Sequence, residues 1–277
     1  MSNRPAEKKD PKPPDQTMSS VDKYSIATIP LYQAFGTTHL GLATGFVWAE
    51  SGRHYLVTNW HVVTGKDPFT GKHLSPTAAE PDRLQILWHK KTAVSKDATG
   101  PRVKLDEMLR DEKGEPRWLV HPRFGNKVDV VAIPLVASDE VELFPINNLK
   151  SDDLAVVVGM DVFVVGYPYG LSAAELPVWK RGSIASEPEV SDGAQQYILI
   201  DTASRPGMSG SPVIRRSYGT HLMSSGSSTM GDPLKTKFVG VYSGRLTSAD
   251  PLDAQLGMMW PAKLLTEIVS GDMRESC

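Results

Sequence analysis

Short apolar runs, separated by turn-forming residues, fill the chain from about residue 22 onward. Val, Ile and aromatic residues dominate the runs, while Gly, Pro, Asn, Asp and Ser dominate the gaps. Runs of this kind are typical of β-strands, and many short strands in succession indicate an all-β sandwich or barrel. We predict strands at Tyr24–Phe35, Leu40–Trp48, His54–Thr58, Leu84–His89, Arg117–Val120, Val128–Leu135, Ala155–Val158, Asp161–Gly166, Trp179–Ala185, Tyr197–Asp201, Ser211–Arg215, Phe238–Tyr242 and Gln255–Trp260.

The remaining segments predict one helix, two loops and a division into two halves. Residues 261–271 begin with proline and carry apolar residues at 264, 265, 268 and 269, which is the spacing of a short amphipathic helix. Thr64–Pro81 and Ser217–Lys237 lack any period, and we predict the second to be a mobile surface loop. No strand is predicted around residues 137–152, and this break between two β-rich halves is consistent with a pair of barrels.

One domain, preceded by a tail, is therefore predicted. Residues 1–20 hold prolines and mixed charges, and they cannot bury enough apolar surface to offset the entropy of ordering. The predicted bounds are a disordered tail at 1–21 and a domain at 22–271, divided into an N-terminal barrel at 22–145, a C-terminal barrel at 152–260 and a helix at 261–271.

Composition excludes several classes of protein. The 30 Lys and Arg residues nearly balance the 32 Asp and Glu residues, so no basic surface for nucleic acid or an anionic membrane is expected. The one cysteine, Cys277, excludes an intramolecular disulfide and a cysteine-rich zinc site. No signal peptide or membrane-spanning run is visible in the sequence, so we expect a cytoplasmic protein.

A serine between glycines, in Gly207-Met-Ser209-Gly-Ser-Pro, is a candidate for chemistry. Glycine lets the backbone adopt conformations that other residues avoid. The N–H groups of Gly207 and Ser209 could then converge on a developing oxyanion. The motif is weak by itself, because ordinary turns also contain glycine beside serine.

A serine hydroxyl needs a base to take its proton, and the base needs an acid to orient it. His61 stands at the rim of a predicted strand, and His121 is a second candidate for the base. Asp129 lies within an apolar strand, where a carboxylate needs a hydrogen-bonding partner. Asp161 is its rival, although the glycine at 159 favours a solvent-exposed hairpin turn there.

The chain order of these residues is more specific than each residue alone. The order His61, Asp129, Ser209 is that of the chymotrypsin fold, whereas α/β-hydrolases and subtilisins use other orders. Together with the all-β pattern, this order indicates one fold.

The segments around these residues resemble the three signature blocks of trypsin-like serine peptidases, most closely the bacterial trypsin-like and HtrA-type enzymes. The blocks are Thr58-Asn-Trp-His61, Val128-Asp129-Val-Val-Ala and Gly207-Met-Ser209-Gly-Ser-Pro. Further similar segments are Thr44-Gly-Phe-Val, Gly166-Tyr-Pro-Tyr-Gly-Leu171, Arg181-Gly-Ser-Ile, Asp201-Thr-Ala-Ser-Arg-Pro-Gly and Gly257-Met-Met-Trp-Pro261. The resemblance covers residues 22–271. It implies an all-β protein with two six-stranded antiparallel β-barrels and a short C-terminal α-helix.

The resemblance also implies residue roles. His61 matches the general base, Asp129 the orienting acid and Ser209 the nucleophile. The N–H groups of Gly207 and Ser209 match the oxyanion hole, and Ser243 matches the serine that supports the triad from behind. Such enzymes need no metal or organic cofactor, so none is expected here.

Substrate preference is only partly indicated. By the resemblance, Ala203 and Ser204 lie at the base of the primary pocket, with Gly244, Arg245 and Gly257 near its walls. A preference for Lys or Arg in this pocket needs a carboxylate at its base, and Ala203 supplies none. We therefore expect small or medium apolar side chains there, unless Arg245 selects an acidic residue.

Two departures from the family patterns matter. HtrA-type enzymes usually carry a peptide-binding PDZ module after the protease, and only six residues follow Gly271. Zymogen-type trypsins use an aspartate just before the nucleophile to bind a newly cut N-terminus, and Met208 stands there. We therefore expect that removal of the tail does not build the oxyanion hole.

The prediction is a serine endopeptidase that acts on a polypeptide substrate. One alternative is a trypsin-fold module that binds peptides, inactive or latent until a regulatory protein partner docks and orders the two loops. A second alternative is an esterase. The segment 238–244 favours peptides, because it resembles the edge strand that pairs with a substrate backbone.

Overall fold

The computed structural model describes residues 21–91, 101–172, 175–190, 196–245 and 256–276. The first half forms one antiparallel sheet whose strands follow the order β5-β4-β1-β2-β3-β6, with β7 paired to β4. Its strands are β1 (Thr28–Phe35), β2 (Thr38–Glu50), β3 (Arg53–Thr58), β4 (Arg83–Lys90), β5 (Arg102–Met108), β6 (Val131–Pro134) and β7 (Val141–Glu142). Two short helices belong to this half, α1 (Lys23–Ala27) and α2 (Trp60–Thr64).

The second half is a closed antiparallel barrel in the order β10-β13-β12-β11-β8-β9. Its strands are β8 (Asp161–Gly166), β9 (Val178–Ile184), β10 (Ile198–Asp201), β11 (Pro212–Leu222), β12 (Ser228–Arg245) and β13 (Leu256–Pro261). Helix α3 (Ala262–Gly271) follows, and short 3₁₀ turns lie at Ile146–Asn148 and Pro168–Gly170. The predicted all-β class, with two barrel-like units and a C-terminal helix, is confirmed.

A shared core joins the two halves. Phe46 of β2 meets Phe238 of β12 with ring centroids 5.4 Å apart. Helix α3 packs its apolar face into the same core, as the spacing of 264, 265, 268 and 269 predicts. Because burial of apolar surface holds both halves against each other, residues from each can form one site between them. No helix in the described ranges is long and apolar enough to cross a bilayer.

The chain enters the first sheet through one helical turn within the predicted strand Tyr24–Phe35. Lys23–Ala27 is helical because the Asp22 carboxylate caps it, accepting the Tyr24 N–H at 2.9 Å. The strand itself begins only at Thr28.

Two predicted strands are wrong, and two strands, β5 and β7, were not predicted. Arg117–Val120 and Ala155–Val158 contain or adjoin only isolated bridges, at Leu119 and Leu154. β5 (Arg102–Met108) was missed because four of its seven residues are charged and none is fully buried. It lies at the edge of the sheet. Charged side chains are common on edge strands, because they discourage another chain from pairing with the free backbone edge.

The prediction of a mobile loop at Ser217–Lys237 is also wrong. This segment extends β11 and β12 into a long antiparallel hairpin, whose ladder reaches Leu222 paired with Ser228. His221 is fully buried within it, and its Nε2 lies 2.7 Å from the Asp232 carbonyl oxygen. The hairpin is held by backbone pairing and by this bond between its strands. Its sequence therefore lacks the apolar pattern of a core strand. The predicted tail lies outside the described residues, except for Val21.

The segment after α3 crosses the first sheet beside the short helix α2. Val120 donates its N–H to the Met273 carbonyl at 2.9 Å. The Glu275 carboxylate then accepts the indole N–H of Trp60 at 2.9 Å and that of Trp118 at 2.6 Å. Both indoles are almost wholly buried, so this carboxylate satisfies two donors that water cannot reach. We call this arrangement the Glu275 clamp.

Replacing Glu275 by alanine is expected to lower the free energy of unfolding by about 2–6 kcal/mol, because each of the two buried donors left without an acceptor costs about 1–3 kcal/mol. Urea denaturation measures this change, and Glu112→Ala, at an exposed position, serves as the control. Equal midpoints for the two variants would contradict the role of the clamp.

Candidate active site

His61 lies in the single turn of helix α2, directly after β3. The turn begins at Asn59, whose side-chain amide donates to the Asp129 carbonyl at 2.7 Å. It ends at Gly65, which adopts the left-handed conformation and donates its N–H to the His61 carbonyl at 2.9 Å. The helix is therefore just long enough to hold His61 at the rim of the sheet.

Asp129 is fully buried and receives three hydrogen bonds. Its Oδ1 accepts the backbone N–H of His61 at 2.9 Å, and its Oδ2 lies 2.7 Å from His61 Nδ1. The Ser243 hydroxyl donates to the same Oδ2. These donors compensate the carboxylate for the water it has lost. Since an ionised carboxylate only accepts, Nδ1 carries the proton in neutral His61 and Nε2 is left as the acceptor.

The turn around Ser209 depends on two glycines with positive φ, Gly207 at +93° and Gly210 at +82°. A Cβ on Gly207 would overlap the Tyr167 carbonyl oxygen, and a Cβ on Gly210 would overlap that of Thr44. Thr44 also fastens the turn, since its N–H donates to the Ser209 carbonyl and its hydroxyl to the Gly207 carbonyl, both at 2.8 Å. Larger residues at either glycine would displace the serine.

The N–H groups of Gly207 and Ser209 donate to no acceptor within the described ranges. The neighbouring carbonyl of Pro206 accepts the Tyr169 N–H at 2.7 Å. Because the two ends of a trans peptide point in opposite directions, this bond directs the Gly207 N–H away from Tyr169. Both N–H groups are therefore available to a negatively charged oxygen.

One cavity of about 460 Å³ brings these parts together at the boundary between the two halves. Its lining residues are His61, Asp67, Pro68, Phe69, Leu74, Tyr169, Ser204, Arg205, Pro206, Ser209, Ser243, Gly244 and Met258. Among the hydrogen bonds of the described residues, none joins Ser209 Oγ to His61. Such a bond is often loose in a ligand-free site and tightens when substrate binds.

Comparison with known proteins decides the family. A family model described as a trypsin-like peptidase domain matches residues 43–221. The chain belongs to the trypsin-like peptidase family. The prediction of a trypsin-like serine endopeptidase is thereby confirmed. No curated protein matches this peptidase.

Solved structures similar to the peptidase include other serine proteases. Deg5 is 19% identical, covers 90% of this chain and 89% of its own, and has a TM-score of 0.50. The serine endoprotease from Yersinia pestis is 15% identical, with 94% of this chain and 67% of its own covered and a TM-score of 0.49. The active form of the Rv3671c protease from M. tuberculosis is also 15% identical, with 100% and 96% covered and a TM-score of 0.47. The likeness to Deg5 supports the fold.

The cavity contains part of the predicted substrate pocket of the peptidase. Ser204, Ser243 and Gly244 line it, and Ala203 is not among the lining residues. Met258, rather than the neighbouring Gly257, lines the cavity, and the ring of Tyr242 occupies the space next to Gly257. The side chain of Arg245 lies outside the described part of the structure.

The rival candidates for base and acid lie elsewhere in the peptidase. His121 is buried, and its Nε2 lies 2.7 Å from Glu267 Oε2, while its Nδ1 accepts the backbone N–H of Arg123 at 3.1 Å. Asp161 begins β8 rather than lying in a turn, and it pairs with Arg181 at 2.6 Å. Neither residue lines the cavity.

Several contributors to the site were missed by the sequence analysis. Thr44 and Asn59 act through backbone contacts, and Asn59, placed just before the helical turn, had a local signal as an N-cap residue. Asp67 and Phe69 come from the loop Thr64–Pro81, which has no periodic pattern. Their place in the cavity depends on tertiary structure alone.

Proposed function

We propose that this peptidase hydrolyses peptide bonds through His61, Asp129 and Ser209 and an acyl-enzyme intermediate. One observation carries the proposal. Buried Asp129 holds His61 by two hydrogen bonds, one of them to Nδ1, and His61 lines the same cavity as Ser209. This is the arrangement that makes a serine hydroxyl nucleophilic.

In the first step, Ser209 Oγ attacks the carbonyl carbon of the scissile peptide bond, and His61 Nε2 takes the hydroxyl proton. The carbonyl oxygen becomes an oxyanion, which accepts the unused N–H groups of Gly207 and Ser209. Asp129 stabilises the positively charged imidazole through Nδ1. His61 Nε2 then returns the proton to the leaving amine, and the C–N bond breaks.

In the second step, water replaces the amine product. His61 Nε2 removes a proton from the water, whose oxygen attacks the ester carbonyl of the acyl-enzyme. A second oxyanion binds the same two N–H groups. Its collapse releases the carboxylic acid product, and His61 returns the proton to Ser209 Oγ.

The end of β12 favours a peptide over a small ester as substrate. The ladder between β11 and β12 stops at Pro212 paired with Val241, while β12 continues to Arg245. Ser243 and Gly244 thus have no ladder partner on the β11 side, and both line the cavity. An extended peptide can pair with such an edge through its own backbone.

A latent form, completed by a protein partner, is the second candidate. The observation that favours it is the missing hydrogen bond between Ser209 Oγ and His61 in the described residues. In this form the partner, rather than the substrate alone, would bring the two side chains together.

Labelling with a fluorophosphonate probe tests both candidates. Wild-type protein is expected to be labelled, Ser209→Ala to remain unlabelled, and Ser151→Ala, at an exposed position outside the cavity lining, to be labelled like the wild type. Labelling of Ser209→Ala would overturn the choice of nucleophile. A folded wild type that takes no label would instead support the latent form.

A further inference from the structure

A closed turn after α2 forms one wall of the cavity. The N–H of Asp67 donates to the Lys72 carbonyl at 2.8 Å, and the Gly71 N–H donates back to the Asp67 carbonyl at 2.9 Å. Asp67 Oδ1 accepts the backbone N–H groups of Phe69 at 3.0 Å and Thr70 at 2.7 Å. The turn therefore has a defined geometry, and it fixes the Asp67 side chain within the cavity wall.

Asp67 forms no ion pair with a Lys or Arg side chain of the described residues. Its hydrogen bonds all fall on Oδ1, so Oδ2 remains open. The adjacent Lys66 pairs with Glu80 at 2.7 Å instead. Burial raises the pKa of Asp67, but the hydrogen bonds from Thr70 and Phe69 together outweigh burial, so the pKa is lowered. The carboxylate is thus ionised at neutral pH.

Three apolar residues line the same cavity as the Asp67 carboxylate. Phe69 and Leu74 each keep 54% of their surface exposed, and both line the cavity with Pro68. The ring of Phe69 is held against Tyr197 of the second half, with centroids 6.2 Å apart. An exposed apolar surface next to an unpaired carboxylate fits a side chain with an aliphatic stem and a cationic end.

We propose that Asp67, Phe69 and Leu74 form a subsite that binds a Lys or Arg side chain of the substrate near the scissile bond. The inference rests on the proposed function, since it names the substrate class of that same cavity. Arg205, from the second half, also lines the cavity and repels a basic side chain near it. The basic residue of the substrate is therefore directed to the wall that the first half supplies.

Cleavage mapping on a mixture of unstructured peptides with every residue varied at each position tests the subsite. The peptides that the wild-type enzyme cleaves are expected to be enriched in Lys and Arg at one position close to the cleaved bond. Asp67→Asn keeps an oxygen for the turn but loses the charge, so kcat/KM for basic peptides is expected to fall about 10- to 100-fold. The kcat/KM for matched peptides with norleucine in place of the basic residue should not change. Asp67→Lys should shift the preference to acidic residues.

Asp139→Asn, at an exposed position away from the cavity, serves as the matched control and should retain the wild-type preference. An enzyme that cleaves without any basic preference, or an Asp67→Asn variant that keeps it, would overturn the subsite.

Binding of the same peptides to Ser209→Ala, measured by fluorescence anisotropy with and without Asp67→Asn, gives a readout independent of turnover. Weaker binding of basic peptides on loss of Asp67 supports the subsite even if no peptide is cleaved. Equal binding overturns it, whatever the fate of the proposed catalysis.

Discussion

Replacing either His61 or Ser209 by alanine is expected to lower kcat for peptide hydrolysis by about 10⁶, and the double variant should lose no more than either single variant. The reason is that nucleophile and base act as one unit. A serine without its base is hardly nucleophilic, and a base without the serine has no proton to take. The activity that remains comes from the Gly207 and Ser209 N–H groups and from substrate binding.

A kinetic cycle of the two single variants and the double variant measures this effect with one fluorogenic peptide. The control is Ser151→Ala, at an exposed position outside the cavity lining, which should leave kcat within a few-fold of the wild type. Losses that multiply in the double variant would mean that His61 and Ser209 act separately, and the triad would then have to be reassigned.

Asp129→Asn is expected to lower kcat by about 10⁴. The carboxylate accepts from both the backbone N–H and Nδ1 of His61, whereas an amide offers only one oxygen. If that oxygen keeps the backbone bond, the NH₂ group faces Nδ1 and donates to it. The proton of neutral His61 then moves to Nε2, which can no longer accept the Ser209 proton.

The pH dependence of kcat for Asp129→Asn measures this effect, together with a thermal unfolding curve that checks the fold. Ser243→Ala is the comparison, because it removes one donor to Asp129 while the bonds to His61 remain. A loss below about 10-fold in a folded Asp129→Asn variant would contradict the tautomer argument.

Buried strands were the part of the fold that the sequence could predict. β8 was predicted at the bounds that the structure gives, Asp161–Gly166, because its apolar residues are buried and turns flank it. The paired polar strands of the hairpin between β11 and β12 gave no such signal. Their ladder of hydrogen bonds belongs to the backbone, and one buried histidine, His221, fastens it.

The candidate site also contains residues that the sequence could predict and residues that it could not. His61, Asp129 and Ser209 were predicted because each has a local context and their chain order is specific. The unpaired charge of Asp67 had no local signal, since it becomes unusual only beside His61 in the folded cavity. The predicted bounds of the two barrels stay a prediction.

The Glu275 clamp also bears on when the enzyme can first act. Trp60 and its acceptor are separated by 215 positions in the sequence, so the acceptor is synthesised long after the indole. A growing chain already holds His61, Asp129 and Ser209 while the indole beside His61 still lacks its acceptor. Trp60, which shares its helical turn with His61, therefore gains the acceptor of its indole N–H only after residue 275 has been synthesised.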